Sequence, residues 1–381
     1  MLSATNANRF LPGYRLSGIA MLLLTMVLTG LSASAQTYQT TFLVSDLANI
    51  TGNNPADPNL SNPWGLASSS SGPWWVADNN TGVATLYNGM GAKQGLTVTI
   101  PSWTGSGTGA PSGQVFNGTS SFQLTPGNPA FFLFDSEDGT IQGWNPSVNA
   151  NTSVIEVNNF GSAVYKGLAL ASANGANYLY ATNFFAGTVD VFDTNFAPHS
   201  FGTNAFVDST IPSGFAPFGI QLVGSNLVVT YAKQDAEKHD DVAGPGNGYV
   251  DIWSTQGNLV GRLPHIVQMN SPWGIALAPS NFGAFSNDLL IGDFGSGAIM
   301  VFNPNAPFNF IGLMLDEAKL QLRIDKLWAL EFGNGGSAGP TNTLFFTAGT
   351  FDETYGIFGT ILPTAGQGTA TNPQPRHKIQ K

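Results

Sequence analysis

The chain contains no cysteine among its 381 residues. Disulfides, thiol catalysis and cysteine-ligated metals are therefore excluded. Charge is scarce as well, at 9% of residues against about 25% in a typical soluble domain. The polar surface must come from Asn, Ser, Thr and Gln, a mix that suits short strands joined by many turns. Histidine occurs only at His199, His239, His265 and His377, and no two have the spacing of zinc ligands. There is no G-x-S-x-G elbow and no dinucleotide-binding fingerprint. Beyond the first residues no apolar run is long enough to span a bilayer.

The first 35 residues read as a secretory leader. Arg9 and Arg15 supply a positive start, residues 19–31 an apolar stretch, and Ala33-Ser34-Ala35 a small-x-small cleavage site. This predicts Gln36 as the mature N-terminus and a secreted or periplasmic location. No Cys follows the apolar stretch, so a lipoprotein anchor is excluded, and the mature chain is expected to have no membrane span. Arg376, Lys378 and Lys381 lie in a Pro/Gly/Thr-rich tail, residues 363–381, expected to be disordered. With leader and tail set aside, eight basic residues stand against 23 acidic ones. Such a body repels nucleic acid, which needs a basic footprint, and favours cations or neutral and cationic ligands.

What the chain does have is a repeat. An aromatic-and-glycine strand is followed by a hydrophobic strand ending in Asp or Asn, a tight Gly turn, and a strand ending in an aromatic. The turn glycines are Gly82, Gly139, Gly187, Gly248, Gly297 and Gly356, spaced by 57, 48, 61, 49 and 59 residues. A β-unit at such a period predicts an all-β, six-bladed β-propeller of four-stranded antiparallel blades over residues 36–362. Glycine in the inner strands lets backbones converge on the axis, and the turn glycines are expected to supply positive φ. A ring must close or expose sheet edges. The unclaimed β-rich run Thr41-Phe42-Leu43-Val44 is expected to be the outer strand of the last blade. The Gly/Ser/Thr-rich segment from Trp103 to Phe122 lacks a second hydrophobic strand, which argues against a seventh blade.

The strands Asn62-Pro63-Trp64-Gly65-Leu66-Ala67 and Ser271-Pro272-Trp273-Gly274, with their Ala-Asp and Gly-Asp turns, resemble NHL-type repeats. The body from about Thr40 to Leu362 also resembles a family of secreted bacterial propeller proteins of unassigned activity. Its distinctive motif is similar to Tyr231-Ala232-Lys233-Gln234-Asp235 and the run from Lys238 to Gly248. The resemblance implies the fold and the compartment, and carries over no catalytic residue.

In a propeller, the loops into the inner strands and those between second and third strands share the face that opens onto the central channel. Here that face is expected to collect Asn62, Lys166, Asn270 and Lys326 from the first set and Asp78, Asp135, Asn183 and Asp293 from the second. An Asx residue four positions before a turn glycine can simply accept hydrogen bonds from its own turn. The same Asp78, Asp135 and Asp293 are also candidate metal ligands, with Ca²⁺ the ion that oxygen donors suit.

The pattern breaks at blade four. From Tyr231 to Gly248 is 17 residues where four other blades use about four, and Lys233, Asp235, Glu237, Lys238, Asp240 and Asp241 gather there with His239. Long loops in compact repeats are functional more often than chance. The alternatives are a solvated flap and a lid over the channel mouth, with His239, Asp240 and Asp241 turned to a ligand or cation. The sequence therefore supports a monomeric extracytoplasmic protein that binds a small molecule, glycan or protein through its channel face. The competing expectation is a Ca²⁺-dependent propeller hydrolase or lyase of the lactonase type.

Overall fold

The alternation of short apolar strands with Asx/Gly turns folds into six four-stranded antiparallel sheets in the computed structural model, which describes residues 36–364 apart from 52 and 53. The expected leader, and all but the start of the expected tail, lie outside the described residues. Blade one comprises Pro63–Ser68, Trp74–Asp78, Val83–Tyr87 and Lys93–Thr99. Blade two comprises Pro111–Phe116, Phe132–Ser136, Thr140–Trp144 and Val154–Asn158. Blade three comprises Tyr165–Ala173, Ala176–Asn183, Thr188–Phe192 and Pro198–His199, and blade four Phe215–Val223, Asn226–Lys233, Gly248–Ser254 and Leu259–Arg262. Blade five comprises Pro272–Leu277, Leu289–Asp293, Ile299–Phe302 and Phe310–Leu313. Blade six takes Leu327–Phe332, Leu344–Ala348 and Ile357–Pro363 from the end of the body and Tyr38–Ser45 from its start. Each inner strand packs on that of the next blade, and blade six returns to blade one.

The closing strand pairs Thr41 with Thr360 and Phe42 with Gly359, then shifts register before Val44 meets Phe358. Pairing extends to Tyr38 opposite Pro363, and the Thr364 N–H reaches the Thr37 carbonyl at 2.9 Å. The paired body thus runs two residues past the expected boundary at Leu362. The segment after Trp103 adds no blade; a two-stranded hairpin, Gln123–Thr125 with Asn128–Pro129, decorates blade two.

Positive φ holds at four of the six turn glycines, Gly82, Gly139, Gly187 and Gly297. Gly248 and Gly356, which follow the longer loops, serve close approach instead. A Cβ on Gly356 would lie 1.9 Å from the Leu60 carbonyl oxygen, and one on Gly248 2.3 Å from Pro272 Cδ.

The inner strands stack in layers along the axis. Trp64, Phe218, Trp273 and Trp328 pack together just inside one end: Trp64 stacks on Trp328 at 3.6 Å, and Trp273 meets both edge-on at 6.2 and 5.7 Å. Beneath them lie Gly65, Gly113, Gly167, Gly219 and Gly274, where an added Cβ would collide with the neighbouring inner strand in most cases. The glycine layer brings the backbones together, and the indoles above it plug the channel.

Candidate functional site

The aromatic plug forms the floor of a cavity of about 210 Å³ at the channel mouth. Asp240 and Asp241 of the blade-four loop, Lys166, Lys326, Asp352 and Glu353 form its polar wall. The loop is a built extension of its hairpin. Gln234 bridges Asp241, the Val242 N–H donates to the Lys233 carbonyl at 2.8 Å, and the Asp235 N–H donates to the Asp240 carbonyl at 2.9 Å. Gln234 Nε2 donates to the Phe184 carbonyl, and the Gly244 N–H to Asn270 Oδ1 at 2.6 Å. The Asp235 carboxylate accepts from the His239 N–H at 2.8 Å. The loop is held against blades three and five, over the mouth.

At the centre lies Lys166, 1% exposed. Its ammonium bonds Glu137 and, at 3.3 Å, Asp240 Oδ1, and lies 5.1 Å from the Trp64 ring centroid. Burial alone would lower its pKa, but the two carboxylates outweigh burial and hold it above the ordinary lysine value. His239 Nδ1 bonds Asp240 at 2.9 Å. That bond raises the imidazole pKa and holds the Asp240 carboxyl well below the usual range. Burial pushes Asp241 up, and its Oδ2 has no hydrogen-bond partner.

On the other side, Lys326 lies 3.2 Å from Asp352 and 4.3 Å from the Phe294 centroid. Asn62 donates to Glu353 at 3.1 Å and accepts from the Trp328 indole N–H at 3.0 Å. Burial raises Glu353 to about 7. Phe351, Asp352 and Glu353 have φ of 54°, 54° and 64°, three successive side chains in the left-handed region. That conformation costs roughly 1–2 kcal/mol per residue, and such strain gathers at ligand clamps. Asn62, Ser271 and Lys326, each just before an inner strand, also have positive φ.

Beside this mouth opens a larger cleft of about 560 Å³. Trp103 and Phe160 stack on its wall at 3.9 Å, Phe185 and Val164 continue the apolar lining, and Glu137 and His239 supply a polar end. Trp103 is pinned by its N–H to Asp138 Oδ2 at 2.7 Å and by Asn158 Nδ2 to its carbonyl at 2.9 Å.

The structure thus brings together Asn62, Lys166, Lys326, Asp240 and Asp241, with His239 at the junction of mouth and cleft. Asn270 holds the loop, Asp235 shapes it, and the Lys233 side chain is exposed at its base. Asp78, Asp135 and Asp293 are not brought together. Each is buried in its own blade, and their partners are not the backbone of their own turns as expected. Asp78 accepts from Thr85 Oγ1 at 2.7 Å, Asp135 from Ser112 Oγ at 2.9 Å and the Gly113 N–H, and Asp293 from the Asn270 N–H at 3.2 Å and Ser296 Oγ at 2.9 Å. Of these four Asx side chains, only that of Asn183 accepts from a backbone N–H of its own turn, that of Ala186. Among the described residues, the carboxylates and imidazoles close enough to share one ion are Glu137, His239 and Asp240, within 4.8 Å of one another.

Sequence reasoning missed Glu137, Asp352, Glu353, Trp103 and Phe160. A usable signal existed for the acids: the Asp135-Ser136-Glu137-Asp138 turn is the most acidic of the short turns, and blade six has a lengthened, acidic loop before Gly356.

The class of protein is a six-bladed β-propeller of four-stranded antiparallel blades. No protein-family model matches the chain. It belongs to a family that includes two uncharacterised proteins of Acanthamoeba polyphaga mimivirus, both 31% identical to it. One match spans 336 residues, 85% of this chain and 80% of the relative; the other spans 321 residues, 80% and 81%. Among solved structures, a structural genomics protein of unknown function from Bacteroides thetaiotaomicron superposes with a TM-score of 0.50 at 12% identity, covering 85% of this chain and 76% of that one. That likeness is one of fold alone. No helix among the described residues is long and apolar enough to cross a membrane.

Proposed function

We propose that the chain is an extracytoplasmic binding protein that takes up a small molecule on its lidded face, an apolar or aromatic body lying in the Trp103–Phe160 cleft and a polar end meeting His239 and Glu137. The observation that carries this reading is the cleft itself. Its volume of about 560 Å³ falls within the roughly 300–1,000 Å³ of small-molecule sites, and its make-up, mostly apolar with a few convergent polar groups, is theirs. The leader-like N-terminus supports an exported location, and the acidic body argues against nucleic acid as the partner.

The test uses the neutral dye N-phenyl-1-naphthylamine, whose emission rises in apolar surroundings. The wild-type protein should bind it. Trp103→Ala should weaken binding by about 2 kcal/mol, the scale of an aromatic anchor, or roughly thirtyfold, while Trp103→Phe retains most of it. Equal binding by wild type and Trp103→Ala would reject the cleft as the site.

A second reading, an ion-dependent enzyme, is favoured by the Glu137–His239–Asp240 group. An ion there must displace the Lys166 ammonium, which already neutralises two of the three donors, and this places the metal reading second. Titration with Ca²⁺, Mg²⁺ and Zn²⁺ against thermal unfolding separates the two, since tight binding to the folded state raises the melting temperature. No shift with any of the three rejects the ion.

A further inference from the structure

The far end of the channel carries a second set of polar groups that the lidded face does not use. Below the glycine layer, the inner strands bring Gln114 of blade two, Gln221 of blade four and Glu331 of blade six around a compartment of about 30 Å³. A water-sized group needs roughly 10–15 Å³ of such space. The same three side chains also line a vestibule of about 280 Å³, otherwise walled mostly by apolar residues such as Leu66, Leu168 and Ile220. No Lys, Arg or His lines either compartment, and Glu331 is the sole titratable group in both.

The polar atoms are unbalanced toward acceptors. Gln114 is 5% exposed, and its Nε2 donates to the Gly65 and Trp75 carbonyls, which leaves Oε1 buried with no hydrogen-bond partner. Gln221 Nε2 donates to Glu331 Oε2 at 2.6 Å, so the amide oxygen of Gln221 and the second oxygen of Glu331 remain as acceptors. A buried acceptor left unpaired is costly, and a carboxylate in an apolar channel without a basic partner is costlier still. What this arrangement lacks is a compact donor carrying positive charge.

The geometry points to a binding site for a primary alkylammonium group at the channel end opposite the lid, the ammonium seated among Gln114, Gln221 and Glu331 and the alkyl chain in the apolar vestibule. An –NH₃⁺ group has three donors and no acceptor, which matches three acceptor oxygens. The scarcity of ligands rules against Ca²⁺, which takes six to eight oxygens, where the compartment offers one carboxylate and two amides. The ammonium belongs either to a free small amine or to a lysine side chain of another protein.

Isothermal titration at pH 8 with n-butylammonium chloride tests the site, with 1-butanol as the uncharged analogue of the same length and Nα-acetyl-lysine methylamide as the surrogate for a protein lysine. Butylammonium should bind at least tenfold more tightly than butanol, and Glu331→Gln should lose that preference. Whichever of butylammonium and the lysine surrogate binds more tightly names the source of the amine. In case Glu331→Gln fails to fold, wild-type affinity is followed from pH 8 to pH 5. Withdrawal from bulk water raises the Glu331 carboxyl to about 7, so affinity should fall at least tenfold as it takes up a proton. Failure of butylammonium to bind, butanol binding equally well, an unchanged preference in Glu331→Gln, or affinity that stays flat from pH 8 to pH 5 would each overturn the proposal.

Discussion

Asp78, Asp135 and Asp293 repeat one chemical arrangement in three blades: a carboxyl with no exposure, at or next to the end of its second strand, bonded through one oxygen, the other oxygen unpartnered. Burial raises Asp135 to about 7 and Asp293 to about 8, and Asp78 is raised by burial in the same sense. A folded-state pKa above the unfolded value of about 3.9 means that the folded state holds its proton more tightly. The stabilisation is complete below pH 4 and is lost as pH climbs through 7 and 8. Glu353 at about 7 and Asp251 at about 6 add in the same direction, whereas Asp208 and Asp240, held low, act only in acid. The melting temperature should therefore fall from pH 5 to pH 8. Asp135→Asn, which fixes the neutral form, should show a melting temperature that falls less than the wild type's from pH 5 to pH 8. A variant profile parallel to the wild type would show that Asp135 does not carry the effect. The sequence made these residues visible as a four-residue Asx-to-Gly spacing but left their partners hidden. Ser112 and Asn270 lie 23 residues before Asp135 and Asp293 respectively, on the inner strand or just before it, and no local pattern links them.

At the scale of elements, the blade-four loop shows how far length and charge lead. Both mark it in the sequence, and its Asp240, Asp241 and Ala243 line the same cavity as Lys326. Its anchoring was not legible, because the groups that hold it, Phe184 and Asn270, belong to other blades. Neither was the division of labour around Lys166. Glu137, with its side chain 12% exposed, is a buried partner, whereas Asp240, 68% exposed, reaches in from the loop. Removing one member of a buried pair costs about 3–5 kcal/mol, and an exposed pair contributes about 0–1 kcal/mol. Glu137→Gln should therefore destabilise the protein several-fold more, in kcal/mol, than Asp240→Asn, as measured by urea unfolding. Equal costs would mean that the loop carboxylate, and not the blade-two turn, holds the ammonium. The cleft was illegible for a related reason. Trp103 sits in a Gly/Ser/Thr-rich connection that reads as linker, and Phe160 lies 57 residues further on. Only their stacking across the rim makes a wall of them.

At the scale of the molecule, the repeat was legible because every blade needs the same parts: glycine where backbones converge, apolar strands between neighbours, a tight turn. Ring closure followed from one physical demand, that no sheet edge be left open. The closing strand does more than cover an edge. Tyr38, 1% exposed, packs on Phe282 at 5.2 Å and on Phe285 at 5.7 Å, and its N–H donates to the Leu315 carbonyl at 2.8 Å. The strand thus ties blade six to blade five, and at its other end the Ser45 carbonyl accepts from the Asp57 N–H on the way into blade one. Tyr38→Ala should cost about 3–5 kcal/mol, as other buried aromatic truncations do. A chain that begins at Asp46 loses the tie and exposes Ile357–Pro363 as an unpaired edge. It should unfold at lower denaturant and aggregate, and a peptide of residues 36–46 added in trans should restore the wild-type midpoint by pairing with that edge. If the truncated chain already unfolds at the wild-type midpoint, the ring is held by the inner-strand contacts between its blades, and the first strand is a cover without a structural share.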